Sequence, residues 1–336
     1  RQMCIRDRNK TASNNPYFDA YEKTNSLDRN IFNADLTATY DITKWLKATF
    51  RTGLDFFSER GELKVSKGSN VASGWMSIPG YANSTWNGQY TGAYMVGLQQ
   101  GLSINTDFIL SGDKEFGNFG VEYLLGGTVF YDEDKLVTGS TNNGLTVPGY
   151  YSLAASVDPA KVGEVRSAQQ VNSIYGRLGL SWNKMLYAEF TGRNDWTSTL
   201  PSSTRSYFYP SISGSFVISE LLPQTKDWLD LLKVRSSWTL TKTPPTVYAI
   251  NSDFDIYSDT WNGMTGAGYP GRRYPLDVLP QSASTYEVGL QGIFFKNRLS
   301  VDLTYYSKRS FDLLKEAQTS PTTGSVSYTH LTLPTN

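Results

Sequence analysis

Asn33-Ala34-Asp35-Leu36-Thr37-Ala38-Thr39-Tyr40, the turn Asp41-Ile42-Thr43-Lys44, and then Trp45-Leu46-Lys47-Ala48-Thr49-Phe50-Arg51 decide the fold of this chain. Before the turn, Ala34, Leu36, Ala38 and Tyr40 alternate with Asn33, Asp35, Thr37 and Thr39. After it, Leu46, Ala48, Phe50, Leu54 and Phe56 alternate with Lys47, Thr49, Arg51, Gly53 and Asp55. Successive side chains of a strand point to opposite faces, so a period of two describes a hairpin with one apolar and one polar face.

Hairpins of this kind recur. Phe116-Gly117-Asn118-Phe119, Trp182-Asn183-Lys184-Met185-Leu186-Tyr187 and Phe294-Phe295-Lys296-Asn297-Arg298-Leu299 are further short turns bracketed by aromatics. The pattern predicts about ten strands, near 30–40, 45–60, 98–111, 118–131, 171–182, 186–197, 206–219, 232–243, 284–295 and 299–312. Turns 41–44, 112–117, 183–185, 220–231 and 296–298 then fall on one side. Loops 61–97, 132–170, 198–205, 244–283 and the tail after 313 fall on the other. Strands of about 9–14 residues exceed those usual in soluble sheets and suit a tilted membrane crossing. Short turns on one side, long loops on the other and aromatics at strand ends are the layout of an all-β, antiparallel outer-membrane barrel, with the short side periplasmic.

In such a barrel Ala34, Leu36, Ala38, Leu46, Ala48, Phe50 and Leu54 face lipid, while Asn33, Asp35, Thr37, Lys47, Thr49 and Arg51 face the lumen. The reverse would expose charge to the bilayer midplane at about 2–4 kcal/mol per group. Tyr40, Trp45, Phe116, Phe119, Trp182, Tyr187, Trp228, Phe294 and Phe295 gather at the short-turn ends. Amphipathic rings prefer the headgroup level, which makes this a girdle; cross-strand packing of hairpin aromatics is the alternative.

The 336 residues carry 31 Lys+Arg and 31 Asp+Glu, so no net field draws nucleic acid. No apolar run approaches the length of a membrane helix, which leaves a barrel open because its strands show lipid only every second residue. The single Cys4 and His330 lie in terminal segments, residues 1–8 and 326–336, that read as translated sequencing adapter. Those two segments are expected to have no packed role. The body, 9–325, contains neither Cys nor His, which removes thiolate chemistry, His-ligated metal and a Ser-His-Asp triad from it. No enzyme activity, cofactor or metal is expected. Asp132 and Asp134 form a loose carboxylate pair, but in a Gly/Asn-rich loop where solvated acids are the default.

Four stretches resemble the SusC/RagA family of TonB-dependent outer-membrane transporters. They are Tyr175-Gly176-Arg177-Leu178 through Arg193-Asn194-Asp195; Tyr209-Pro210-Ser211-Ile212-Ser213-Gly214-Ser215-Phe216 with Ile218-Ser219-Glu220; Leu232-Lys233-Val234-Arg235-Ser236-Ser237-Trp238; and Glu287-Val288-Gly289-Leu290 through Phe294–Leu299 to Asp302, Tyr305-Tyr306 and Asp312-Leu313-Leu314. They span about residues 171–315 in the family's order. Trp196, and Thr239 through Lys242, stand where the family usually has Gly or a Gly-containing run. The resemblance implies a 22-strand barrel with an N-terminal plug, energised through TonB and paired with a SusD-like surface lipoprotein. This chain is then an internal piece of the barrel, with the plug absent, and is not by itself competent for transport.

The leading expectation is import of an oligosaccharide or peptide cargo across the outer membrane. Candidate cargo contacts are the loop aromatics Trp75, Tyr81, Trp86, Tyr90, Tyr257, Trp261 and Tyr269, because C–H groups of sugar rings pack on aromatic faces. The same rings could instead pack the loops together or touch the lid lipoprotein. A passive porin-like channel is the second reading. A soluble β-rich carbohydrate-binding module is the third, and it requires a polar outer face on every strand.

Overall fold

The computed structural model describes residues 16–69, 73–76, 84–87, 91–225, 227–268, 272–274, 277–318 and 327–329. Ten strands form one sheet in sequence order. They are β1 (Lys23–Thr43), β2 (Leu46–Val65), β3 (Ala93–Phe116), β4 (Phe119–Leu145), β5 (Ser156–Trp182), β6 (Leu186–Thr197), β7 (Ser206–Val217), β8 (Leu229–Thr243), β9 (Gln281–Phe294) and β10 (Leu299–Phe311). All ten expected strands are present, but β1 and β3 run on through Thr43 and Phe116, so the turns expected at 41–44 and 112–117 tighten to 44–45 and 117–118. Among the described residues no helix is long and apolar enough to cross a membrane.

The turns are built by residues that accept left-handed backbone. Asn183 and Lys184 sit at φ 51° and 55° between β5 and β6, and Phe295, Lys296 and Asn297 at 56°, 56° and 63° between β9 and β10. Asparagine tolerates this region through local hydrogen bonding; lysine and phenylalanine do so at some cost. Hydrogen bonds fasten the turns to their neighbours. Asn183 N–H donates to the carbonyl of Asn118 at 2.8 Å, and Asn297 N–H to Asp230 Oδ2 at 3.0 Å.

By internal packing the chain divides into two units. The first comprises Arg1–Ala34, Gly53–Ile104 and Asp132–Ala168. Here the loop expected at 132–170 is largely strand and the loop expected at 61–97 is shortened at both ends: β2 continues to Val65, β3 starts at Ala93, β4 continues to Leu145 and β5 starts at Ser156. Strands of 20–27 residues replace the expected 9–14. Asp132 and Asp134 therefore lie on β4 and not in a loop, and Gln99 Nε2 donates to Asp134 Oδ2 at 2.7 Å. Two small apolar clusters hold this unit. One is Leu63, Val65, Ala93 and Met95 with Leu136; the other is Tyr94, Leu145 and Ala155 with Val96, Tyr151 and Leu153. The helix α1 (Pro16–Glu22) buries Phe18, and the Glu22 carbonyl accepts from Ser66 N–H at 2.9 Å.

The second unit comprises Asp35–Thr52, Asn105–Tyr131 and Gln169–Asn336. Its register places like beside like. Leu178, Phe190, Ile212, Trp238 and Tyr286 are successive cross-strand partners from β5 to β9, and all five are exposed. Trp182, Leu186, Phe216, Val234, Leu290 and Leu303 form a parallel apolar row, ending on β10. One residue away along each strand, Gly179, Glu189, Ser213, Ser237 and Glu287 form a polar row on the opposite face. Large apolar side chains left exposed in continuous rows are unstable in water and suited to lipid. The polar outer face required by a soluble binding module is therefore not what these strands present.

Eight of the nine expected girdle aromatics, all but Phe294, stand exposed at the turn ends. Trp228 also stacks on Phe294 at 6.3 Å between ring centroids, so packing and interface placement coexist.

Outside the main sheet, Ser73–Met76 pairs with Ser84–Asn87, and Asp255–Trp261 with Met264–Gly268. A three-stranded patch joins Arg272–Arg273, Ser327–Thr329 and Glu316–Gln318. Within 326–336, expected to have no packed role, the backbone of Ser327–Thr329 is paired with Glu316–Gln318 and, at Ser327 and Tyr328, with Arg272–Arg273; the rest of that segment lies outside the described residues. Residues 1–8 lie outside the described residues.

Candidate functional site

Alternation gathers several ionisable residues of the second unit on one face, where they pair with one another across and along the strands. Arg51 on β2 donates from Nε and Nη2 to Asp107 Oδ2 on β3, at 2.9 and 2.6 Å. Thr128 on β4 donates to Asp107 Oδ1 at 2.6 Å, so both carboxylate oxygens are occupied. Asp107 is 3% exposed, and a carboxylate that dry requires such partners. Arg51 thus lies on the polar face, and alternation puts Phe50 on the other, as expected.

Further along the same face, Arg193 on β6 donates to Asp195 Oδ1 and to Ser173 Oγ, both at 2.8 Å. Its guanidinium also lies 5.4 Å from the ring centre of Tyr175. Tyr209 on β7 donates its hydroxyl to Asp195 Oδ2 at 2.7 Å and stacks with Tyr207 at 6.0 Å. Register explains the cluster: Arg193 stands opposite both Tyr175 and Tyr209, and Asp195 opposite Ser173 and Tyr207.

Towards the short turns the same face carries Arg177, which bonds Glu189 at 2.8 Å and Glu122 at 3.0 Å. Arg235 bonds Asp302 and Thr304, each at 2.8 Å. These groups border an open concavity of about 440 Å³ whose remaining wall is largely serine and glycine. Its charged lining is Glu122, Glu189 and Glu287 against Arg177, Lys233 and Arg235, so acids and bases balance. Exposed ion pairs contribute only about 0–1 kcal/mol each. Their consequence is a wettable, near-neutral surface more than added stability. Among the described residues no group of His, Cys, Asp or Glu could hold a metal ion.

The loop aromatics fare differently. Tyr81, Tyr90 and Tyr269 lie outside the described residues. Trp75 and Trp86 occupy one short hairpin, paired in register with Thr85 and Gly74. Tyr257 and Trp261 share the other hairpin, where Trp261 stands opposite Met264. Tyr257 is exposed, yet its ring lies over Gly266 and Gly268, where added Cβ atoms would come within 3.1 and 2.6 Å of it. It therefore packs its own hairpin. The residues joined into a polar wall, Arg51, Asp107, Tyr175, Arg193, Asp195 and Tyr209, were not among the candidate contacts. Alternation had placed Arg51 on this face, and the signal for Tyr175, Arg193 and Asp195 was the family-like Tyr175-Gly176-Arg177 and Arg193-Asn194-Asp195, which carries no role until register aligns it.

Comparison with known proteins agrees with this geometry. The family model described as TonB dependent receptor-like, beta-barrel, matches residues 5–336. TonB-dependent receptor P26 of Formosa agariphila is 24% identical over 323 residues, covering 92% of this chain and 31% of that protein. TonB-dependent receptor P3 of the same organism is 22% identical over 312 residues, covering 89% and 29%. Among solved structures, the RagAB peptide transporter superposes with a TM-score of 0.79 at 19% identity, over 94% of this chain and 34% of that one. The chain thus spans about a third of the length of the relatives it matches. Strand register, a lipid-suited outer face and a family match over nearly the whole sequence lead to one conclusion: the chain belongs to the TonB-dependent receptor-like β-barrel family of the outer membrane.

Proposed function

We propose that the parent of this chain is a TonB-energised importer of oligosaccharides or peptides, working with a SusD-like surface lipoprotein and carrying out no catalysis. The observation that carries this reading is the two-faced register: an apolar row on one side, and on the other a polar face whose acids and bases balance and hydrogen-bond across the strands. A wall of that kind lets a polar solute or a polar protein segment occupy the lumen without burying unpaired charge. The fold shared with the RagAB peptide transporter supports import, and a peptide is one of the two cargo classes on that ground. The family's dependence on TonB supports active coupling over a passive channel.

The test is deletion of the full-length gene in its host, followed by growth on peptide mixtures or on individual oligosaccharides as sole carbon source. One of these growth phenotypes should be lost, restored by the full-length gene, and lost again in a TonB-deficient background. Uptake that persists without TonB would favour the passive channel. Co-purification of a surface lipoprotein with the affinity-tagged protein would support the partnership.

A further inference from the structure

Lys114 near the end of β3 is a cation of the second unit whose setting the import reading does not use. It belongs to the face opposite Asp107, as does Gly112, whereas Glu122 and Thr128 on β4 share the face of Asp107. On the Lys114 side, Tyr123 crosses Gly112 to donate its hydroxyl to the Trp45 carbonyl at 2.7 Å. A Cβ on Gly112 would lie 2.5 Å from that hydroxyl and 2.0 Å from the carbonyl oxygen. The glycine is thus the gap through which the tyrosine reaches, and it fixes the Trp45 backbone at the sheet edge.

Over this frame Lys114 Nζ stands 5.9 Å from the Trp45 ring centre and 5.0 Å from that of Phe116. Both rings are exposed, and among the described residues no carboxylate lies within ion-pair distance of Lys114. Away from the turn, the same face continues as Phe108 on β3 and Leu125 on β4, both more than half exposed. A cation oriented by two rings at the interface, with an apolar track leading into the bilayer, complements an amphiphile with an anionic head. We propose that Lys114, with Trp45 and Phe116, forms a binding site for a phospholipid of the turn-side leaflet. Its phosphate meets Lys114 Nζ and an acyl chain lies along Phe108 and Leu125.

The lack of free hydrogen-bonding groups along the track selects a lipid over a protein partner. The track is lined by apolar side chains whose backbone is already paired within the sheet, so it offers a protein segment no hydrogen bonds. The test is native mass spectrometry of the full-length parent in detergent, titrated with phosphatidylglycerol, with diacylglycerol, and with soluble glycerol phosphate. Phosphatidylglycerol should be retained by the parent, and Lys114→Gln should weaken the tightest-bound molecule about fivefold, the effect of one interfacial lysine. Lys114→Arg should preserve binding, diacylglycerol should be insensitive to the substitution, and glycerol phosphate should not be retained. Heat-modifiable migration on gels reports that each variant is a folded barrel. Equal phosphatidylglycerol retention by the parent and Lys114→Gln would overturn the site, and retention of glycerol phosphate would show an anion site without lipid specificity.

Discussion

A Cβ on Gly126 would lie 2.4 Å from Cζ of Tyr175, so β4 carries glycine where the tyrosine ring must cross it to lie against Arg193. Gly126→Val is expected to destabilise the full-length barrel by about 1–3 kcal/mol through overpacking. Urea unfolding in lipid vesicles measures this, and Tyr175→Ala in the same molecule should recover most of the loss. Simple additivity of the two substitutions would contradict the contact. In the first unit, Glu62 offers a pH-dependent counterpart beyond the expected membrane crossing. Hydrogen bonds from Lys64 and Arg60 hold its carboxyl down to about 2, from an ordinary value of 4.5. A depressed carboxylate stabilises the folded state at pH above its unfolded value, and that contribution fades as pH falls from about 4.5 towards about 2. The stability difference between parent and Glu62→Gln should be level from neutral pH to about 4.5, then shrink. A difference that stays constant down to pH 2 would show that Glu62 acts by packing alone.

At the scale of elements, the strands inside the bilayer were legible because two solvents impose two chemistries on alternate residues. That constraint is why Leu46 through Leu54 and Leu178 through Phe190 could be read directly. It lapses outside the bilayer, where both faces of a strand can be wet. Glu133, Lys135 and Asn142 therefore looked like loop although β4 runs unbroken to Leu145. The polar wall was hidden for a different reason. Arg51 and Asp107 are 56 residues apart, and only pairing register brings them together. Turn chemistry was visible in Asn183 and Asn297, but not in the left-handed lysines beside them. Lys184 at φ 55° gives a direct check on the β5–β6 turn. Lys184→Gly should be neutral or slightly stabilising, and Lys184→Ile should cost about 1–2 kcal/mol, read by the same urea unfolding. Equal stability of the two variants would mean the turn does not hold that conformation in the membrane.

For the whole molecule, the ten-strand order ends on β1, exposed along its length, and β10, exposed as far as Arg309. Unpaired strand edges are costly in a bilayer, where no water replaces the missing hydrogen bonds. This chain expressed without the rest of its parent should aggregate on transfer from urea to detergent, which light scattering detects; a monodisperse monomer would be contrary to that account. The central claim, however, is the two-faced sheet, and lipid contact measures it most directly. A bimane fluorophore is placed singly at Phe190, Ile212, Glu189 or Ser213 of the full-length parent on a cysteine-free background, and the barrel is reconstituted with brominated lipids. Phe190 and Ile212 should be strongly quenched and Glu189 and Ser213 spared, because cross-strand register puts each pair on its own face. Equal quenching at all four positions, or quenching of Glu189 and Ser213 alone, would contradict it.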